Sequence, residues 1–141
     1  MKNLKVTFME AGAIARIANV LRDKKQIEFN EESFLEDSIY VVDYNMKIFV
    51  FEKIRQSFED AVVKRGFQNV QREGAYINFE KMEFLIFAKA VFEFCFFHMR
   101  KEMESIHNTE EITDDIIAAI PFVTLRIKIN SILAVFDEVG A

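Results

Sequence analysis

The sequence has little of the two residues that most often interrupt helices. Of its 141 residues, one is proline and four are glycine. Because proline and glycine mark most turns, a chain with so few of them favours long helices over a many-turned β architecture. The length suits one domain that can enclose a core. We therefore predict a single all-α domain over residues 1–141, built as a helical bundle around a buried central hydrophobic helix.

Cysteine and clusters of basic residues are also scarce. Cys95 has no second cysteine with which to form an internal disulfide, which fits a reducing compartment and a core position for its side chain. The net charge is −5, and no basic run is longer than RDKK at residues 22–25. Nucleic-acid binding depends on clustered lysine and arginine, so we predict no nucleic-acid partner.

Long uninterrupted apolar runs are missing as well. The first residues lack the apolar core of a secretory signal. The most apolar segment, residues 82–99, is interrupted by charged or polar side chains at Glu83, Lys89, Glu93 and His98. A membrane span needs about 20 mainly apolar residues. We therefore predict no membrane span and a cytoplasmic location.

Phenylalanine, in contrast, is abundant, with 16 residues in the chain. Six of them lie between Phe84 and Phe97, in the segment MEFLIFAKAVFEFCFFHMRK at residues 82–101. The surrounding residues 78–104 contain neither glycine nor proline, and this length far exceeds that of a typical strand. The pattern predicts a helix.

In that helix, Lys89, Glu93 and Arg100 would form one narrow polar stripe, which we expect to be the only solvent-exposed side of the helix. A helix that is apolar nearly all round is buried at the centre of its domain. Burial of six phenylalanines contributes about 10–15 kcal/mol, which is as large as the net stability of a typical domain. We therefore predict that Met82–Met103 is the central helix and that the others pack around it.

The flanking segments predict further helices. Hydrophobic spacing favours a helix from Leu4 to Leu21 and another from Met46 to Lys64, although IYVV at 39–42 and IFVF at 48–51 also suit strands. Asn30 is typical of a helix start. Gly66 and Gly74 are interpreted as helix ends.

Towards the C-terminus, Asn108 and Glu111 have the spacing of a capping box and predict the start of another helix. Pro121 is expected to break or kink that helix. A final amphipathic helix is predicted over residues 122–139.

The sequence contains no glycine-rich phosphate loop, no CxxC pair and no HExxH motif. His98 and His107 are interpreted as one partly buried and one loop histidine. Cys95 lies among phenylalanines, whereas a nucleophilic thiol needs a polar, accessible setting and a base. We therefore predict a protein that is not an enzyme and that has no cofactor and no metal.

An acidic cluster provides an alternative. Two pairs of carboxylates with i, i+4 spacing could hold Mg²⁺ as in helical nucleotide pyrophosphohydrolases. These are Glu110 with Asp114 and Glu111 with Asp115. Such enzymes need a second acidic pair on a facing helix, and Glu102 and Glu104 lack the matching spacing. Acidic residues are also favoured at helix N-termini without any metal.

The segment REGAYINFEK, residues 72–81, lies just before the phenylalanine-rich segment. This segment resembles the first homology motif of the Bcl-two (B-cell lymphoma two) apoptosis regulators, R-D-G-V-N-W-G-R. REG at 72–74 matches R-D-G, and INFEK at 77–81 matches V-N-W-G-R, with two extra residues between them. INSILAVFDEVG at 129–140 loosely resembles the second motif, N-G-G-W-D-A-F-V-E-L-Y-G. In the family the first motif opens the buried fifth helix, which would be Met82–Met103 here.

The resemblance implies a surface groove that receives an amphipathic BH-three helix from a pro-death relative. It places Asn78 and Lys81 against the ligand, with Lys81 in the position of the arginine that pairs with the ligand's aspartate. Lysine lacks the bidentate fork of arginine, so this contact should be weaker and less directional. Glu80 replaces a glycine that lets the ligand backbone approach, which predicts an altered groove and a narrow choice of partner.

Further groove residues follow from the same resemblance, with core packing as the alternative for each. They are Val70, Phe79, Met82, Phe84 and Phe58.

A short chain whose motifs match the family only loosely resembles virus-encoded members of the family. The implied function is inhibition of apoptosis in the host cytoplasm by sequestering a pro-apoptotic BH-three helix. The alternatives are the Mg²⁺-dependent nucleotide hydrolase and a helical adaptor with an unrelated protein partner. A homodimer through exposed aromatic residues is left open.

Overall fold

The computed structural model describes residues 2–28, 38–108 and 113–138, and the side chains of residues 3–22, 45–104 and 113–135. Within these ranges the chain is almost entirely helical, which confirms the predicted all-α class. The elements are β1 (Lys2–Val6), α1 (Phe8–Glu28), α2 (Ser38–Arg65), α3 (Phe67–Glu73), β2 (Ala75–Phe79), α4 (Lys81–His98), α5 (Arg100–Asn108) and α6 (Asp114–Glu138).

Helix α4 is the central element, as predicted, and packs against α1, α2, α6 and β2. Phe87 stacks on Phe79 of β2 with 5.3 Å between ring centroids, and it lies 5.8 Å from Phe51 of α2. Nearer the end of the helix, Phe94 stacks on Phe122 of α6 at 5.3 Å. Aromatic pairs at these distances add to the area they bury, so α4 joins the other elements into one core.

The start predicted for the central helix, Met82, is confirmed to within one residue, whereas its predicted end, Met103, was wrong. Residues 78–79 lie in strand β2, and the helix proper begins at Lys81. It ends at His98. The cap residue Met99, with φ of −122° and ψ of 5°, lies outside the helical region, and α5 begins at Arg100. The Met99 side chain is buried, so the break turns the chain while it keeps this residue in the core.

The helix predicted from Leu4 was wrong at its start, because Lys2–Val6 forms a strand. This strand pairs antiparallel with β2, with Leu4 opposite Ile77 and Val6 opposite Ala75. All four side chains are buried. Two apolar residues at alternate positions also satisfy the two-residue period of a strand, and pairing with β2 gives their backbone groups hydrogen-bond partners.

Helix α1 begins with a capping box. The Thr7 N–H donates to Glu10 Oε1 at 2.9 Å, and the Glu10 N–H donates to Thr7 Oγ1 at 3.2 Å. The buried Glu10 carboxylate also accepts hydrogen bonds from Lys128 Nζ and Thr124 Oγ1 of α6, each at 2.6 Å. Burial raises the pKa of this carboxyl, but the hydrogen bonds from Lys128, Thr124 and Thr7 outweigh it and the pKa is lowered. Glu10 therefore ties α1 to α6 as an ionised group.

The helix predicted over Met46–Lys64 is confirmed within α2, which also contains both β-like segments. Gly66 and Gly74 are confirmed at helix ends, with φ of 87° and 76°. A side chain at Gly74 would place its Cβ 2.5 Å from the Val6 carbonyl oxygen. Glycine is therefore required there both by the backbone conformation and by the approach of β1.

The predicted break at Pro121 was wrong, because α6 runs through it without interruption. Proline removes one helical hydrogen bond, and burial of Phe122, Leu125 and Ile129 against the core offsets this loss. The predicted start at Asn108 was also wrong. Asn108 ends α5, and Thr113 caps α6 by accepting a hydrogen bond from the Ile116 N–H at 3.3 Å.

The predicted helix start at Asn30 and the predicted absence of a membrane span stay predictions. Asn30 as a helix start lies outside the described residues. Among those that are described, one stretch, Asp114–Val135, is long and apolar enough to cross a membrane by length and composition, with a third of it buried in the protein. The core helix of a soluble protein meets the same criterion, so the absence of a membrane span stays a prediction.

Candidate functional site

One face of the central helix is open to solvent. Lys89 and the partly exposed Glu93 lie on it, as predicted. The expectation that charged residues form the only solvent-exposed side of this helix was wrong, because Met82 is 63 % exposed, Phe96 58 % and Phe97 73 %. Spacings of three and four residues place these side chains on one helical face. We call it the α4 face, and it comprises Met82, Leu85, Ile86, Lys89, Glu93, Phe96 and Phe97.

The first half of the α4 face adjoins α2 in a groove of about 410 Å³. This α2–α4 groove is lined by Asn45, Met46, Phe49, Val50, Met82, Glu83 and Ile86. Phe49 is 66 % exposed, and Met46 and Met82 are exposed with it. Lys81, the first residue of α4, stands next to Met82 in the chain and is also exposed. The groove is therefore mainly apolar, with Glu83 as the one charged residue among the described residues of its lining and Lys81 next to Met82 in the chain.

Ion pairs fix the distance between the two helices that form this groove. Lys53 of α2 binds Glu83 at 2.6 Å, and the largely buried Lys47 binds Glu93 at 2.9 Å. Glu83 also accepts a hydrogen bond from the Glu80 N–H at 2.8 Å. Burial raises the pKa of Glu83, but the hydrogen bonds from Lys53 and the Glu80 backbone outweigh it, so the pKa is lowered. Glu83 therefore stays ionised and holds the groove wall in place.

The second half of the α4 face adjoins α6 in a larger groove of about 710 Å³. Its walls come from the end of α4, from α5 and from the middle of α6. This α4–α6 groove is lined by Phe92, Glu93, Cys95, Phe96, Phe97, Arg100, Met103, Glu104, Val123, Arg126, Ile127 and Asn130. Cys95 is buried, and burial raises the pKa of its thiol to about 11. A thiol with such a pKa carries almost no thiolate at neutral pH, so its predicted role as a core residue is confirmed.

The structure separates the residues that the resemblance assigned to one groove. Glu80, Lys81 and Met82 lie together on the surface at the start of α4, and Asn78 is exposed on β2. Two other groups lie elsewhere. Phe79 and Phe84 are fully buried in the core, and Phe58 and Val70 line a separate cleft between α1 and α2.

Sequence reasoning missed the contribution of α2 to the first groove. Met46 and Phe49 are spaced by three residues and share one face of the helix. They lie in a stretch whose apolar residues were assigned to the core or to a strand. Their exposure carries no signal in a single sequence, because Val50 and Phe51 beside them are buried. Arg126 in the second groove was missed because only helix packing brings it beside residues of α4.

No three metal-ligating side chains lie close enough to hold an ion among the residues that the structure describes. Asp114 and Asp115 are exposed in the first turn of α6, whereas Glu110 and Glu111 lie outside the described ranges. His98 is exposed and stacks on Phe94 with 4.8 Å between ring centroids. The nucleotide hydrolase alternative therefore stays an untested prediction.

Comparison with known proteins identifies no relative of this chain. Searches of the family models, the curated proteins and the solved structures find no match to this chain. The resemblance to the Bcl-two regulators therefore rests on the two quoted motifs alone.

Proposed function

We propose that this protein binds an amphipathic helix of a partner protein in the α2–α4 groove and has no enzymatic activity. The resemblance identifies the ligand as a pro-apoptotic BH-three helix, and the biological role as inhibition of apoptosis, of the virus-encoded kind. The observation that supports the proposal best is the exposure of Phe49, Met46 and Met82 around one groove beside Lys81.

The shape and chemistry of the groove suit a helical ligand. Exposed apolar patches on a folded domain mark sites of interaction. An amphipathic helix presents apolar anchors at positions i, i+3 or i+4, and i+7, which can lie between the side chains of Phe49 and Met82. Lys81 would attract an acidic residue at one end of the ligand, as a point charge rather than as a bidentate fork.

The buried residues of the matched motif have a supporting role in this proposal. Phe79 and Phe84 lie 5.8 Å apart between ring centroids and are fully buried. In this conformation they do not reach a ligand at the surface. They instead fix the start of α4, and thereby the positions of Lys81 and Met82.

Binding can be measured by the fluorescence anisotropy of labelled BH-three peptides titrated with the purified protein. We expect saturable binding that Phe49→Ser weakens by about tenfold or more, because an aromatic anchor in an interface commonly contributes over 1 kcal/mol. Lys81→Glu should also weaken binding through repulsion of the ligand's acidic residue.

Val63→Ser is the matched control, because Val63 lies on the same helix, is 86 % exposed and lines neither of the two grooves nor the cleft between α1 and α2. The Val63→Ser variant should bind the BH-three peptide with the same affinity as the wild type. If no BH-three peptide binds at tens of micromolar, the identity of the ligand is refuted. If a peptide binds and Phe49→Ser has no effect, the α2–α4 groove is not the site.

A further inference from the structure

We propose that the α4–α6 groove binds a fatty-acid-like ligand, an unbranched apolar chain that ends in a carboxylate, with Arg126 as the carboxylate anchor. The two grooves have separate linings, so this inference does not depend on helix binding in the α2–α4 groove.

The charge of the groove is the first argument. The Arg126 guanidinium lies 6.0 Å from the centre of the Phe92 ring, and one of its nitrogens donates to Met103 Sδ at 3.8 Å. No carboxylate among the described residues pairs with it. An arginine whose side-chain partners among the described residues are a ring and a thioether retains its capacity for a bidentate bond to a carboxylate.

The other charged residues of the lining already have partners. Glu104 accepts a hydrogen bond from Arg100 at 3.2 Å, and Glu93 pairs with Lys47 at 2.9 Å and with Lys89 at 3.8 Å. The thiol of Cys95, whose pKa is about 11, is neutral at pH 7 and supplies no negative charge. The groove therefore has a cation that the described part of the chain does not neutralise.

The apolar walls are the second argument. Phe97 and Ile127 are 73 % and 61 % exposed, and Phe96 is exposed with them. With a volume of about 710 Å³, the groove falls within the roughly 300–1,000 Å³ of small-ligand sites, which combine apolar walls with a few polar groups. An apolar chain would cover these side chains, and its single carboxylate would match Arg126.

Isothermal titration calorimetry of the full chain with saturated fatty acids, below their critical micelle concentrations, tests this proposal. We expect one saturable site whose affinity rises about threefold to fourfold for each added methylene, since a buried methylene contributes about 0.8 kcal/mol. The fatty alcohol of equal chain length should bind about tenfold more weakly, because a charge-assisted hydrogen bond to Arg126 is lost.

Arg126→Gln should lower the affinity for the acid to that for the alcohol and leave the alcohol unchanged. Arg16→Gln is the matched control, because Arg16 also lies over aromatic rings, 5.9 Å from Phe94 and 6.0 Å from Phe122, but does not line the groove. It should bind the acid as the wild type does.

Three results would overturn the proposal. The first is equal affinity of the wild type for acid and alcohol, and the second is no saturable binding of either; neither measurement needs a variant. The third is Arg126-dependent binding of an acidic amphipathic peptide without any binding of the acid, which would assign the groove to a protein partner.

Discussion

The two halves of helix α4 differ in phenylalanine content, with two in the first half and four in the second, and they lie in different surroundings. In the first half, Phe84 and Phe87 are fully buried beneath β2 and α2. In the second half, Phe94 is buried, whereas Phe96 and Phe97 are exposed and pack edge to face on each other, with 5.1 Å between ring centroids. The phenylalanines of the first half therefore stabilise the fold, whereas Phe96 and Phe97 of the second half offer an apolar surface.

The difference comes from the elements that cover each half. Phe79 of β2 stacks on Phe87, and Phe51 of α2 approaches the same ring. Near the end of α4, the chain turns at Met99 and leaves the outer side of the helix uncovered by the described residues. Arg100 lies over Phe96 there, 5.3 Å from its ring centre. Whether a phenylalanine of α4 is buried or exposed thus depends on which other elements pack over it.

The largest expected effect is on stability at the buried end. Phe87→Ala should reduce the free energy of unfolding by about 3–5 kcal/mol, because it leaves a cavity between β2 and α2. Phe97→Ala should change it by less than about 1 kcal/mol, since an exposed ring loses little packing. Urea denaturation followed by circular dichroism measures both. Equal losses in the two variants would contradict the difference between the halves.

A smaller effect is expected at the first turn of α4. Glu83→Gln should cost about 1 kcal/mol, because it removes the charge that pairs with Lys53 and weakens the acceptor for the Glu80 N–H. The folded-state pKa of Glu83 is lowered from 4.5, so its contribution is present above pH of about 4.5 and is lost as pH falls through the lowered pKa.

The difference in stability between wild type and Glu83→Gln should therefore shrink in acid. It can be followed by urea denaturation at a series of pH values from 7 downward. A difference that stays constant through acid pH, or that grows there, would contradict the assigned ionised role of Glu83.

The smallest effect is expected where the second half meets α5. Arg100→Gln removes an exposed pair with Glu104 and the contact over the Phe96 ring. Exposed pairs of this kind contribute about 0.5 kcal/mol or less, so the midpoint of urea denaturation should barely move. A loss as large as that of Glu83→Gln would show that this end of α4 is held more firmly than its exposure indicates.

Much of the fold was predictable because its determinants are local. The scarcity of proline and glycine and the spacing of apolar residues predicted the helical class, the α2 segment and the helix ends at Gly66 and Gly74. Strand β1 was missed because Leu4 and Val6 fit both a helix and a strand, and only pairing with β2 decides between them. Pro121 was misread since burial against the core offsets the hydrogen bond that it removes.

The candidate site was less predictable than the fold. The motif at residues 72–81 indicated the start of the central helix, and Lys81 and Met82 do lie on the surface there. The sequence could not show that Phe49 stands across from Met82, or that Arg126 shares a groove with Phe96. Each of these pairs lies far apart in the chain and comes together only through helix packing.

Composition and periodicity were enough to predict a helical protein with its phenylalanine-rich segment at the centre, because both act along one helix. Which phenylalanines are covered depends instead on how the other elements pack on that helix. Six in one segment do not all face the core, because Phe84, Phe87 and Phe94 pack against other elements while Phe96 and Phe97, just before the break at Met99, stay exposed. The exposed Phe96 and Phe97 line the α4–α6 groove, whereas the α2–α4 groove takes its exposed apolar side chains from Met82 and from α2.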